Sequence, residues 1–279
     1  MNTASKLAGF ALVLGLVFGV AAIAGGAIGP DRDGGTPGKP HGGMDDEHGE
    51  MAAADPIRGL AVAEEGLRLS LAATTLPRGE ATTLRFSVDG ANGPVRDFEV
   101  THEKRMHLIV VRRDGSGFQH LHPTLVADGV WSAPITLPDA GAYRIFADFQ
   151  RDGEAHTLAA DVTVDGVADY APLGAATYAP LPAANTVAST DGYTVKLDAH
   201  GSELGFAITR GGKPVETEPY LGAGGHLVAL REGDLAFLHV HPTEEHGVAF
   251  EADLEPDSRY RLYLQFKHDG RVHTAEFTR

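Results

Sequence analysis

The sequence predicts an all-β protein: two tandem antiparallel β-sandwich domains after an N-terminal hydrophobic helix. Three observations carry that prediction. Apolar residues alternate in short runs, Leu67 to Leu71, Leu84 to Val88, Tyr143 to Phe149 and Tyr260 to Phe266, as half-buried strands require. Asp114-Gly115, Asp152-Gly153 and Asp269-Gly270 recur at sandwich spacing, and such dipeptides favour type I′ hairpins. One histidine-bearing unit also occurs twice, while no stretch inside either copy sustains a helical stripe. Together these point to sandwiches of immunoglobulin-like or cupredoxin-like type.

The elements follow in chain order. Residues 1–29 hold Lys6 and then an uncharged stretch from Leu7 to Gly29, whose length lies between a secretory hydrophobic region and a membrane span. Ala22-Ile23-Ala24 offers a signal-peptide cleavage site, whereas the glycines and uninterrupted length favour an anchor with Lys6 inside; the anchor is adopted and cleavage stays open. Either way the remainder is expected outside the cytoplasm, held to the membrane by this segment or secreted. Residues 30–56 are Gly, Pro, Asp, Glu, His and Met with little to bury, the composition of a flexible tether. Domain 1 is expected over 57–166, a Pro/Ala linker over 167–187, and domain 2, the repeat of domain 1, over 188–279.

Composition removes several functions. There is no cysteine among the 279 residues, which excludes thiolate ligands and cysteine catalysis and is compatible with an oxidising compartment. The net charge of -15 argues against nucleic acid, whose binding depends on neutralising phosphates, and suits a cationic partner or metal ion.

The duplication is most informative at its histidines. His107, His120, His122 and His156 answer to His226, His239, His241 and His273, and the steps between the first three are identical in the two copies. A two-residue turn at Asp114-Gly115 sets His107 opposite His122 and Ile109 opposite His120, all on one strand face. A turn at Gly233-Asp234 does the same for His226 with His241 and Val228 with His239. The following hairpin would bring His156 to the same pole, so that each sandwich carries its own three- or four-histidine cluster.

Neutral imidazoles in such an array suit Zn(II), Cu(II) or Ni(II). The competing account is that these histidines bond to backbone at strand ends and the repeat is inherited packing. In the tether, His41-Gly-Gly-Met44 and His48-Gly-Glu-Met51 mix imidazole with thioether, a combination that suits Cu(I) and Cu(II). His102, Met106, His246 and His268 occur in one copy each and read as surface or packing residues.

The run His102-Glu-Lys-Arg-Met-His107-Leu-Ile-Val-Val, then Phe118-Gln-His120-Leu-His122-Pro, then Gly141-Ala-Tyr143-Arg-Ile-Phe-Ala-Asp-Phe149, resembles uncharacterised extracytoplasmic bacterial β-sandwich proteins linked to heavy-metal handling, near YtkA-like and copper-resistance domains. The resemblance covers the first domain, and the second only through Gly225-His226-Leu-Val and Phe237-Leu-His239-Val-His241-Pro. It implies a membrane-attached metal-binding module with those histidines as ligands. The second copy departs from it with Ala223-Gly224-Gly225 where the first has Lys104-Arg105-Met106.

The expected function is metal buffering or delivery outside the cytoplasm, with copper the first choice and zinc the alternative, and an envelope protein as a possible recipient of the ion. A non-metal immunoglobulin-like interaction or adhesion module is the second reading. A metal-dependent cupin-like enzyme is the third, drawn from Gly233-x5-His239-x-His241-x3-Glu245. The first copy lacks the matching glutamate and the later cupin motif is missing from both, so no enzymatic activity is expected.

Overall fold

The computed structural model describes residues 57–168, 184–238, 240–243 and 248–279, with the side chain of His241 left aside. The N-terminal helix, the tether with His41, Met44, His48 and Met51, most of the linker, His239 and His246 lie outside the described residues. Among the described residues no helix is long and apolar enough to cross a membrane.

The first copy contributes β1 (Ala63–Glu64), β2 (Leu67–Leu71), β3 (Thr75–Leu76), β4 (Thr82–Gly90), β5 (Gly93–Pro94), β6 (His107–Arg112), β7 (Gln119–Leu121), β8 (Thr124–Leu125), β9 (Val130–Ile135), β10 (Gly141–Arg151) and β11 (Glu154–Val164). The second contributes β12 (Val187–Thr190), β13 (Tyr193–His200), β14 (Glu203–Arg210), β15 (Lys213–Pro214), β16 (His226–Arg231), β17 (Phe237–Leu238), β18 (His241–Pro242), β19 (Ala249–Glu251), β20 (Tyr260–His268) and β21 (Arg271–Thr278).

Each copy forms two sheets. The order β1-β2-β4-β9-β8 with β5 on β4 corresponds to β12-β13-β14-β19-β18 with β15 on β14. The order β3-β11-β10-β6-β7 corresponds to β21-β20-β16-β17, β3 being an added parallel edge strand. Alternation fills the cores: Leu84, Phe86 and Val88 of β4 meet Tyr143, Ile145 and Ala147 of β10, while Leu204, Phe206 and Ile208 meet Leu262, Leu264 and Phe266.

Two of the turns have the expected form. Asp152-Gly153 and Asp269-Gly270 have φ of 53° and 83°, and 52° and 70°, as type I′ turns demand. Asp114-Gly115 differs, because only Gly115 and Gly117 have positive φ there and the amide of Gly115 bonds to the carbonyl of Arg112. The physical reason lies in the Asp114 carboxylate. It accepts from the amide and hydroxyl of Ser116 and pairs with the buried Arg112 guanidinium at 3.2 Å, which closes a wider loop.

β6 is buried at all six positions and β16 at its four central ones, unlike strands with one wet face. The face of β6 turned away from its own core carries Ile109 and Val111, and the matching face of β16 carries Val228 and Leu230. These pack together with Phe146, Ala159, Leu235, Phe237 and Tyr263 in a third apolar core between the sandwiches. Phe118 stacks on Tyr263 with centroids 4.1 Å apart, and the Tyr263 hydroxyl donates to the Gly115 carbonyl at 2.5 Å.

The segment Arg58-Gly59-Leu60 bridges the two halves. The Gly59 amide donates to Thr157, the Phe237 amide donates to the Arg58 carbonyl, and Arg144 donates to the Gly59 and Leu60 carbonyls. Gly59 has φ of 72°, and a Cβ there would come within 2.8 Å of the Phe146 ring and of the Phe237 Cβ, so only glycine fits against those side chains.

Candidate metal centre

His107 opens β6 on the same face as Ile109 and Val111, and that face is turned toward the second sandwich. The antiparallel register pairs Ile109 with His120, which returns the His120 imidazole to this face, and His122 follows two residues on. The three rings lie together: centroids are 5.2 Å apart for His107 and His120, 5.2 Å for His107 and His122, and 4.8 Å for His120 and His122.

The fourth ring comes from the other copy. His226 opens β16 on the face of Val228 and Leu230, and packing those faces together carries its imidazole into the first domain's patch. It lies 4.7 Å from His120 and 5.7 Å from His107, almost parallel to the latter. A ring nitrogen from each of His107, His120 and His226 falls within 4.8 Å of the others. The expectation of one cluster per sandwich is corrected for His226, which joins His107 and His120 at a shared boundary because the two sheets bury their outer faces against one another; the His239 and His241 side chains lie outside the described residues.

Hydrogen bonding sets the tautomers. His107 Nε2 lies 3.1 Å from the Thr101 carbonyl, which can only accept, so this nitrogen carries the proton and Nδ1 is bare. His120 Nδ1 lies 2.6 Å from Gln265 Oε1, also an acceptor, so its Nε2 is bare. Those two bare nitrogens face each other at 3.0 Å. His122 Nε2 and His226 Nδ1 are buried and have no hydrogen-bond partner among the described residues.

Burial keeps the group neutral. Desolvation, reinforced by the neighbouring imidazoles, depresses His120 to about 3 and His122 to about 4; it lowers His107 and takes His226 well below its ordinary range. Desolvation raises the Asp148 carboxyl to about 6, with the Thr157 hydroxyl, which donates to it at 2.7 Å, opposing the shift.

The copies remain in register around the cluster. Asp148 is the cross-strand partner of His107 and Gln265 that of His226, so carboxylate and amide occupy equivalent positions. Gln265 escaped the sequence reading, although aligning Phe149 with Phe266 pairs it with Asp148. His102, expected from the sequence to be a surface or packing residue, has its ring 6.1 Å from His107 and 6.0 Å from His226. No periodicity marks it, since it sits on a turn.

His156 and His273 do not join the cluster. Each pairs across the strand with a core phenylalanine, Phe149 or Phe266, and so points into its own sandwich, one residue out of step with the row of Asp148 and Thr157. His156 Nδ1 is 3.5 Å from Glu65 and His273 Nδ1 is 2.8 Å from Asp191. These histidines are packing residues with a carboxylate partner, which explains their repetition without an ion. His268 bonds through Nδ1 to the Tyr193 hydroxyl at 2.8 Å, and Met106 is core as its parity requires.

In the second copy β17 keeps the expected register, Leu230 with Phe237 and Ala229 with Leu238. His239 follows outside the described residues, and the backbone of His241 pairs with Glu251 in the other sheet.

Comparison with known proteins adds the following. No curated protein matches the chain. Among solved structures it is similar to alpha-2-macroglobulin of Salmonella, at 13% identity and a TM-score of 0.28, over 80% of this chain and 15% of that one. It is also similar to FdeC, an Escherichia coli adhesin, at 16% identity and a TM-score of 0.28, over 78% of this chain and 65% of that one. Domains 3–5 of Drosophila OTK match at 16% identity and a TM-score of 0.22, over 78% of this chain and 67% of that one. The chain thus spans less than two thirds of the first two of these proteins. A family model matches both copies, residues 61–166 and 187–279, across the two sandwiches but not the linker between them. The chain belongs to the family described as domain of unknown function DUF8832.

Proposed function

We propose that the protein binds one transition-metal ion between its sandwiches, through His107, His120 and His226 with His122 beside them, and serves metal buffering or delivery outside the cytoplasm. The observation that carries this reading is the pair of bare nitrogens, His107 Nδ1 and His120 Nε2, held 3.0 Å apart by acceptors on their far sides. Two lone pairs so disposed repel unless a cation lies between them, and burial opposes the proton that would otherwise do so. Ligands about 2.0–2.1 Å from one ion lie about 2.8–3.0 Å apart at right angles and about 3.3–3.4 Å apart at the tetrahedral angle, so the 3.0 Å separation fits two adjacent ligands near a right angle.

A carbonyl and an amide oxygen behind the imidazoles are the supporting partners that metal-ligating histidines ordinarily have. Neutral imidazoles suit copper and zinc alike; the His-x-x-Met pairs of the tether favour copper. A recipient protein in the envelope and attachment through the N-terminal segment belong to the same reading. The test is titration of the full chain with Cu(II), Cu(I) and Zn(II) while thermal unfolding is followed. A rise in Tm that disappears in a His120→Ala, His226→Ala variant supports the centre, and no response to any of the ions overturns it.

The second reading is a non-metal interaction or adhesion module of immunoglobulin-like type. Its support is the architecture: paired antiparallel sheets in tandem, packed through a shared core into one stiff unit suited to display. It leaves the facing imidazole nitrogens without a role, and so it stands second.

A further inference from the structure

We propose that His102 is the transfer ligand through which the ion passes between solvent and the buried histidines, an inference that rests on the metal-binding reading above. A cavity of about 470 Å³ adjoins the cluster, lined by His102, His107, Asp148, Arg58, Thr101 and Lys104 among others. Gly153 and Glu154, both exposed, also line it, so the cavity opens to solvent. Among the described residues His102 and His107 are the histidines that line it, and His120, His122 and His226 do not.

The His102 ring is about 6 Å from both His107 and His226, a step farther out than the spacing within the centre. That spacing lies just beyond the 4.7–5.7 Å between rings of the centre and is short enough for an ion to be exchanged between neighbouring rings.

Its support differs from theirs. His120 sits on a strand, whereas His102 sits at the tip of a two-residue turn closed by hydrogen bonds between Thr101 and Lys104. His102 and Glu103 have φ of 51° and 64°, both in the left-handed region that side chains seldom adopt. The Thr101 carbonyl that closes this turn also holds His107, so turn and ligand share one acceptor.

Inherited packing does not account for the imidazole. The equivalent turn of the second copy, closed between Tyr220 and Ala223, has Leu221 at this position with its side chain buried, and Gly222 next to it. The cavity wall mixes charges: Asp148 and Glu154 attract a cation and offset Arg58 and Lys104.

The experiment follows uptake of Cu(II) and of Zn(II) by the full chain, and their removal by a chromophoric chelator, in stopped flow and at equilibrium. His102→Asn tolerates the left-handed backbone and removes the imidazole. It is expected to leave equilibrium affinity within about twofold while slowing both uptake and removal by at least about tenfold. His102→Gly should behave in the same way, and normal rates in the glycine variant would show that the asparagine had distorted the turn, overturning the inference. Unaltered rates in both variants overturn it, as does a loss of affinity as large as that of His107→Ala, which would make His102 a permanent ligand. Failure of the unaltered chain to take up either ion overturns the metal reading itself and this inference with it.

Discussion

The imidazole of His107 lies almost parallel to that of His226, 5.7 Å away and 13° out of plane, although each opens the equivalent strand of a different sandwich. The duplicated histidine frame is thereby folded back on itself. Among the described residues one copy contributes His107, His120 and His122 and the other His226, and the boundary between them is where the proposed ion would be held.

Removing the second domain's contribution should therefore weaken a centre built mostly on the first. His226→Ala is expected to lower Cu(II) or Zn(II) affinity by at least about 100-fold, beyond the usual cost of losing a supporting partner. His156→Ala and His273→Ala, which alter histidines already paired with Glu65 and Asp191, should leave it unchanged. Competition with a chromophoric chelator measures all three; equal losses would mean the cluster is not the site.

In the proposed centre Gln265 would act on the ion through His120, whose Nδ1 proton it accepts at 2.6 Å. Gln265→Leu frees the tautomer and ring orientation, and the expected cost is about 10–100-fold in affinity. Gln265→Glu keeps an acceptor there and should retain most of the binding. The same titration distinguishes the two variants.

Acid should destabilise the ion-free chain. Unfolded histidines titrate near 6.5, whereas His120 and His122 are held at about 3 and about 4, with His107 and His226 also lowered. Between these values the unfolded chain binds protons that the folded chain refuses, so stability falls as pH drops from about 6.5 toward 4. Asp148 works in the opposite sense: raised to about 6 from 3.8, it keeps a proton in the folded chain that the unfolded chain has released, and this favours folding on the acid side. Four groups outweigh one. Asp148→Asn should steepen the loss of stability between pH 6 and 4 by up to about one proton, measured by urea unfolding across that range.

The third core should make the two sandwiches unfold as one. Phe237→Ala leaves a hole against Phe146 and Gly59 and is expected to cost about 3–5 kcal/mol. Tyr263→Phe loses the bond to Gly115 and the hydroxyl's contact with Arg261, about 1–2 kcal/mol. Urea unfolding should show one transition for the native chain and a separation into two for Phe237→Ala; a single unshifted transition would contradict the shared core.

Much of the secondary structure was legible in the sequence because it is written in alternation and turn chemistry, both local. Leu67 to Leu71 forms a strand with those limits, and Asp152-Gly153 and Asp269-Gly270 turn as type I′ hairpins. The pairing of Ile109 with His120 followed from counting outward from one loop, even though Asp114 closes that loop differently.

The sequence by itself determined that the histidines come in matched sets and that His107, His120 and His122 share a face, since strand parity and register decide this within one hairpin. It could not say that Ile109 and Val111 on one copy would seek Val228 and Leu230 on the other, because apolar attraction is non-directional and a continuously apolar strand does not name its partner. That packing, settled only in the tertiary structure, brings His226 and Gln265 to His120. The same parity, applied to β11 and β21 once their registers are known, turns His156 and His273 inward to their phenylalanines and away from the centre.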